Sequence, residues 1–172
     1  MDGATAAPFP HHSWLRFRVV AGPDALPLAF HMRQVAHSIS LTARGGHDVR
    51  WITRGRETRW HEEAGAVHFL PADGERHSFV TAMSATFESA VIFIPNRHLR
   101  DYSETEGCEP RPDLRRILTA DDAVLRGCMS RLVGRNRSDD EDRAAEQEEP
   151  ARRLVLRLVE LTGGGRPDWL AD

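Results

Sequence analysis

Residues 65–79 read GAVHFLPADGERHSF, and this stretch decides the fold. Two glycines, Gly65 and Gly74, and a proline, Pro71, interrupt runs in which apolar residues alternate with other types. Such alternation over four to eight residues is typical of a half-buried strand, and Gly or Pro between two runs marks a turn. The stretch therefore predicts two strands joined by a bend, as in a β-sandwich or a β-barrel.

The same pattern extends outward from this stretch over the N-terminal half of the chain. Short alternating runs, separated by Gly and Pro, continue from Trp14 to Ile94 and make about eight strands at regular spacing. This number is sufficient for a double-sheet jelly roll. We therefore predict a mainly β protein, with a jelly-roll β-barrel over residues 14–94 and a disordered N-terminal tail over residues 1–13.

After residue 94 the pattern becomes helical, and PNRHLRDY at 95–102 fits a short helical turn. Apolar residues then recur at three- and four-residue spacing, which is typical of amphipathic helices. TADD at 119–122 has the Thr-x-x-acid pattern that caps a helix start. The polar run at 135–149 predicts a solvated loop leading into the first turn of the last helix. Within the helical part, residues 95–162, helices are predicted near residues 113–118, 120–134 and 146–162.

Composition excludes several functional classes. The chain has 172 residues, enough for one domain with a core, and its 26 acidic and 23 basic residues give a net charge of -3. This balance makes the chain alone a poor nucleic-acid binder. No apolar run approaches the roughly 18 residues that span a bilayer, and no signal peptide opens the chain. The two cysteines, Cys108 and Cys128, fit neither a zinc knuckle nor a disulfide scaffold. We expect a soluble, cytoplasmic protein with no membrane partner.

Within 65–79, the set Gly65, Pro71, Gly74 and His77 resembles the second motif of cupin metal sites, with one extra residue between Pro71 and Gly74. A divalent metal needs three or four protein ligands in fixed geometry. The first cupin motif, a His-x-His pair followed by Glu, is absent upstream. The spacing of the other histidines on nearby strands makes no recognised ligand set: His37, His47, His61 and His68. We therefore predict no cofactor, no metal and no enzyme, and His77 is the ligand if a metal is bound after all.

A barrel pocket for a small organic molecule is the alternative use of these residues. Binding pockets are mostly apolar, with a few placed polar groups. For the aromatic residues core packing is an equal alternative, and for His77 the alternative is a buried, hydrogen-bonded histidine. Glu62 and Glu63 are adjacent in sequence, and we expect solvated surface there. The candidate ligand-binding residues are His37, Trp51, Trp60, His77 and Phe79.

Four segments together resemble the N-terminal, cupin-like sensor domain of AraC-family bacterial transcriptional regulators. They are GAVHFLPADGERHSF, PNRHLRDY, PDLRRIL at 112–118 with the following helix, and EEPARRLVLRLVELTGGGRPDWLAD at 148–172. The resemblance implies a cupin-like jelly-roll β-barrel followed by two or three C-terminal α-helices. It also implies a small-molecule effector, a homodimer, and DNA binding through a C-terminal helix-turn-helix domain. That domain is absent from this chain, and residues 163–172 fit a linker toward it.

Two other functions remain open for the same fold. One is a metal-dependent cupin enzyme, an isomerase or a dioxygenase, and stoichiometric metal in the purified protein would favour it. The other is a binding or storage protein with neither catalysis nor a DNA partner.

The last helix is the candidate dimerisation element. Its Leu and Val residues cover more than one narrow stripe, and we predict dimer contacts by Leu154, Leu158 and Leu161. The alternative is that this helix packs wholly within its own chain, on the barrel and on the helix at 120–134.

Overall fold

The computed structural model describes residues 13–105, 117–119, 122–133 and 141–161. The predicted tail, apart from Ser13, and the predicted linker at 163–172 lie outside these ranges. Eight strands precede the first helix and a ninth follows it. They are β1 (Leu15–Val20), β2 (Leu28–Arg33), β3 (Ala36–Arg44), β4 (Gly46–Thr53), β5 (Arg56–Glu63), β6 (Val67–Leu70), β7 (Arg76–Met83), β8 (Glu88–Pro95) and β9 (Ile117–Thr119).

The strands form two antiparallel sheets. Sheet A has the order β1-β8-β3-β6-β9, and sheet B has the order β2-β7-β4-β5. The described strands do not close into a barrel, because no strand pairs across the two sheets. The mainly β, jelly-roll-like fold with C-terminal helices is thus confirmed, and its barrel is an open two-sheet sandwich.

The stretch 65–79 forms the bend that its composition predicts. Gly65 and Gly74 have φ angles of 93° and 73°, in a region that residues with a Cβ rarely occupy. β6 lies between these glycines and β7 follows Gly74, so the stretch connects a strand of sheet A to a strand of sheet B.

Three helices follow β8, with β9 between the first and the second, and the last two cover the outer face of sheet A. They are α1 (Asn96–Thr105), α2 (Ala123–Val133) and α3 (Glu141–Leu161). Leu125 and Met129 of α2 and Leu154 and Leu158 of α3 are fully buried in one cluster with the outward residues of sheet A, such as Ile92. The molecule therefore has three layers, in the order helices, sheet A and sheet B. No helix within the described ranges is long and apolar enough to cross a membrane.

This packing corrects the predicted dimer contacts. Leu154 and Leu158 have no exposed surface within the single chain, so neither side chain is available to a second copy in this arrangement. Both residues pack within their own chain, which is the alternative considered above. Leu161 is partly buried against the same cluster.

Two predicted helix positions also need correction. Residues 117 and 118 of the helix predicted near 113–118 belong to β9, which pairs with β6, and residues 113–116 lie outside the described ranges. The edge of β6 has backbone groups that need partners, and pairing with β9 satisfies them. The last helix begins at Glu141 and not near 146, because EDRAAEQEE is rich in good helix formers despite having no apolar stripe.

The start of α2 differs from its prediction too. The carboxylate Oδ1 of Asp122 accepts a hydrogen bond from the Leu125 N–H at 2.9 Å, so Asp122 is the capping residue. Thr119, the cap that TADD suggested, lies in β9.

Candidate functional site

A cavity of about 180 Å³ lies between the inner faces of the two sheets. Its wall is mostly apolar and includes four phenylalanines from four different segments. Val19 on β1 and Leu28 on β2 belong to edge strands, and Leu28 is 47% exposed, so the cavity reaches the surface beside these edges. The apolar residues that line it include Phe30, Phe79, Phe87, Phe93, Met32 and Met83.

Strand alternation explains why this wall is continuous. On β3, Ser38 and Ser40 face the cavity, whereas Ile39 and Leu41 belong to the buried cluster between sheet A and the helices, which we refer to as the helix-side core. The same alternation on β6 turns His68 toward the cavity and Phe69 toward the helices.

Besides the hydroxyl side chains of Ser38, Ser40, Thr81 and Ser89, one connected group of polar residues lies in the apolar wall. The Glu62 side chain on β5 is 2% exposed and accepts a hydrogen bond from Trp60 Nε1 to its Oε1 at 2.6 Å. His68 Nδ1 lies 3.2 Å from the same oxygen. The other oxygen, Oε2, accepts from the Thr42 hydroxyl at 3.4 Å and lies 3.6 Å from His47 Nε2. We refer to Glu62, His47 and His68 as the cavity triad.

The triad holds a negative charge in a buried place. Burial, the largest influence, raises the pKa of Glu62, but the hydrogen bonds and charges of His68, Trp60 and His47 together lower it below its ordinary value. Burial lowers the pKa of His47 more than the charge of Glu62 raises it. Near neutral pH Glu62 is therefore ionised and His47 is neutral.

Two ring nitrogens of the triad have no partner within the protein. Among the residues that the structure describes, His68 Nε2 and His47 Nδ1 are buried side-chain atoms without a hydrogen bond. Unsatisfied buried polar atoms are uncommon and costly, and at a cavity wall they are positions where a ligand can supply the missing partner.

The predicted site residue His77 lies beside the cavity, with both nitrogens engaged. Its Nδ1 accepts from Trp51 Nε1 at 3.0 Å, and its Nε2 lies 3.0 Å from Asp73 Oδ1, an atom that only accepts when ionised. The side chain is 2% exposed and stacks on Trp51 with ring centroids 5.4 Å apart. Neither nitrogen offers a lone pair to a metal. Across the described parts of the chain, no three His, Cys, Asp or Glu side chains are arranged to hold a metal ion.

The other predicted ligand-binding residues have different positions. Phe79 lines the cavity, and Trp60 reaches it through Glu62 and through an edge contact with His68. Trp51 packs edge-on against Trp60 and stacks with Phe79. All three lie on the inner face of sheet B, but Trp51 and Trp60 are not among the residues that line the cavity.

The prediction that His37 lines the pocket is wrong, because its side chain lies on the helix side of sheet A, opposite the cavity. It stacks on Phe69 of the helix-side core, lies 3.0 Å from Asn96 Oδ1 through Nε2, and accepts the Ala72 N–H at Nδ1. β3 is buried on both faces, so its alternation groups His37 with Ile39 without indicating which face meets a cavity.

Sequence reasoning missed Glu62, which was expected at the surface. The expectation holds for Glu63, which is exposed, and is wrong for Glu62, which is buried. The alternation along β5 could have predicted this burial, because Trp60 and Glu62 are two residues apart and so lie on the same face of the strand.

Comparisons with known proteins bear on the fold. No family model matches the chain, and no curated protein matches it. Apo ToxT K231A from Vibrio cholerae strain SCE256 superposes with a TM-score of 0.55 at 11% identity, over 87% of this chain and 57% of the ToxT chain. Wild-type ToxT of the same strain, with an unsaturated fatty acid bound, superposes with a TM-score of 0.53 at 11% identity, over 92% of this chain and 59% of the ToxT chain.

This chain therefore spans less than two thirds of the length of those ToxT chains. At 11% identity these superpositions show a fold shared with ToxT, in agreement with the jelly-roll-like fold predicted from the sequence.

Proposed function

We propose that this chain is the effector-binding domain of an AraC-type transcriptional regulator, with a small-molecule effector bound in the cavity between the sheets. The observation that carries the proposal is an apolar cavity of about 180 Å³ with buried, unpaired imidazole nitrogens in its wall. A ligand that pairs with such atoms gains both affinity and orientation. The fold shared with ToxT, one structure of which holds an unsaturated fatty acid, supports a sensor role.

Sheet A offers a direct physical connection from the cavity to the helices. Ser38 and Ser40 on β3 line the cavity, and Ile39 and Leu41 of the same strand contact the helix-side core. A ligand that prefers one position of this strand also shifts the population of helix positions, and a coupling of about 1–3 kcal/mol is ordinary. In the proposed regulator these helices influence a homodimer and a helix-turn-helix domain, outside residues 1–172, that binds DNA in the cytoplasm.

A cavity-filling substitution tests this proposal. Val91 lines the cavity on β8, and Val91→Phe would occupy the space, whereas Val80→Phe places the same group on the outer face of sheet B. We expect thermal stabilisation of the wild-type protein by one or more compounds of a small-metabolite library. Val91→Phe should abolish this stabilisation and Val80→Phe should retain it. Stabilisation by no compound, or stabilisation that survives Val91→Phe, would contradict the proposal.

We propose no catalytic role for the chain. A cupin metal site would depend on His77, and the bonds from Trp51 and to Asp73 that occupy both its nitrogens support this part of the proposal. Elemental analysis of protein purified without a metal-affinity step should find no stoichiometric iron, manganese, nickel or zinc. Stoichiometric metal that disappears in His77→Ala would favour the cupin enzyme instead.

A further inference from the structure

The cavity triad contains information about the ligand, because the Glu62 carboxylate determines where the nearby protons lie. An ionised carboxylate only accepts hydrogen bonds. The proton on the His68 ring therefore belongs on Nδ1, 3.2 Å from Glu62 Oε1, and the nearer nitrogen of His47, Nε2, likewise faces Oε2. When these imidazoles are neutral, the nitrogens left without a partner, His68 Nε2 and His47 Nδ1, are both acceptors.

The charge of the triad also discriminates between ligands. Glu62 is buried and ionised, so a second anion in the cavity would be repelled at low dielectric constant. Acceptor nitrogens next to a negative charge favour a neutral ligand that brings its own donor proton.

The size of the cavity limits the ligand further. A dry, apolar cavity of roughly 150 Å³ in another protein holds one benzene molecule. The cavity here is about 180 Å³, enough for one ring with a small substituent. The rest of the wall is mostly Phe, Met, Val and Leu side chains, with the hydroxyl groups of Ser38, Ser40, Thr81 and Ser89 among them.

We propose that the effector is a compact, neutral phenol or alcohol whose hydroxyl donates a hydrogen bond to His68 Nε2, while its hydrocarbon part packs among the cavity phenylalanines. This inference rests on the proposed effector-binding function and adds the chemical class of the ligand. His68 is the primary acceptor because it is 7% exposed, more deeply buried than His47.

Three probes of similar size test the proposal on the wild-type chain: phenol, anisole and benzoate. Phenol carries the donor, anisole replaces its proton by a methyl group, and benzoate carries a negative charge. Methionine methyl NMR reports the site, since the chain has four methionines, of which Met32 and Met83 line the cavity and Met129 lies in the helix-side core. The titrations are run at about pH 8, above the ordinary imidazole pKa.

We expect phenol to shift the Met32 and Met83 signals, to leave Met129 unchanged, and to bind about tenfold more tightly than anisole or benzoate. His68→Phe should remove this preference, and His61→Phe, on the outward face of β5 where His61 is 54% exposed, should keep it. If His68→Phe does not fold, the comparison of phenol with anisole on the wild-type chain decides alone.

Anisole or benzoate binding as tightly as phenol would overturn the proposal, and so would the absence of any shift at Met32 and Met83 with all three probes. The library experiment with Val91→Phe separates this failure from failure of the proposed function. A library compound without a donor that binds in the cavity would leave effector binding intact and refute the hydroxyl class. No cavity ligand of any kind would refute both.

Discussion

Arg157 on α3 contacts the Asp122 carboxylate at the start of α2 by a hydrogen bond from Nε at 3.0 Å and by an ion pair from Nη2 at 2.9 Å. Both contacts reach Asp122 Oδ2, while Oδ1 accepts the hydrogen bond from the Leu125 N–H that caps α2. The Asp122 side chain is only 8% exposed and that of Arg157 is 30% exposed, so water reaches this pair mainly from the Arg157 side. One carboxylate thus caps one helix and holds the other, and the two helices pack on sheet A as a unit.

Removal of this carboxylate should loosen the helical layer. Asp122→Ala removes the cap and leaves Arg157 without its partner on α2, and we expect a loss of about 1–3 kcal/mol in the free energy of unfolding. Asp122→Asn removes the charge but keeps a good capping residue, so the decrease in unfolding free energy should be smaller than for Asp122→Ala. Urea denaturation measures both, with the exposed Glu63→Ala as control. Equal losses for the two Asp122 variants would show that the charge matters more than the cap.

The buried Glu62 should be far more sensitive to substitution than its neighbour. Glu62→Gln places an amide NH₂ among groups that already donate, such as Trp60 Nε1, and leaves donors unsatisfied. We expect a loss of about 1–3 kcal/mol, whereas Glu63→Gln at the surface should change stability by less than about 0.5 kcal/mol. Chemical denaturation followed by tryptophan fluorescence makes the comparison. Similar small effects for both variants would argue that Glu62 is accessible to water in solution.

The contrast between these two glutamates shows how far the sequence can be interpreted. Alternation along β3, β6 and β8 is visible in the sequence and predicts which residues share a face. It does not predict that sheet A is covered on both sides, by helices and by sheet B, and so it left His37 on the wrong side. The burial of Glu62 depends on its contacts with His68 and Thr42, which lie on other strands and approach Glu62 only in the folded sandwich. Contacts between sheets have no local sequence pattern.

Acid should weaken the fold from near pH 6.5 downward. Burial lowers the pKa of both His37 and His47. For His37 this effect exceeds the opposing effect of the hydrogen bond to Asn96, and for His47 it exceeds that of the Glu62 charge. Each imidazole then binds fewer protons folded than unfolded, so its stabilising contribution is complete above the unfolded pKa of 6.5 and is lost as the pH falls through the folded value. The groups around His47 that bear charge or titrate are Glu62, His68, His61 and Asp48.

Unfolding free energies measured from pH 7.5 to pH 5 should therefore decrease with falling pH. His47→Gln should make this decrease shallower, because one of the two protonation sites is gone. Glu62, whose pKa is lowered, adds a further loss only below its ordinary value of 4.5. A stability that rises or stays level between pH 7 and pH 5 would contradict the buried, neutral state of these imidazoles.

Leu158 distinguishes a core helix from a dimer interface. Its side chain has no exposed surface and packs with α2 and sheet A, so Leu158→Arg places an unpaired charge in the core. We expect a loss of about 4 kcal/mol or more, seen as a collapse of the circular dichroism signal or as precipitation. Glu146→Arg, an exposed position on the same helix, should leave fold and size unchanged. Light scattering supplies the opposite outcome: if the wild-type chain is a dimer and Leu158→Arg is a folded monomer, then α3 must detach from its own sheet to pair with a second copy.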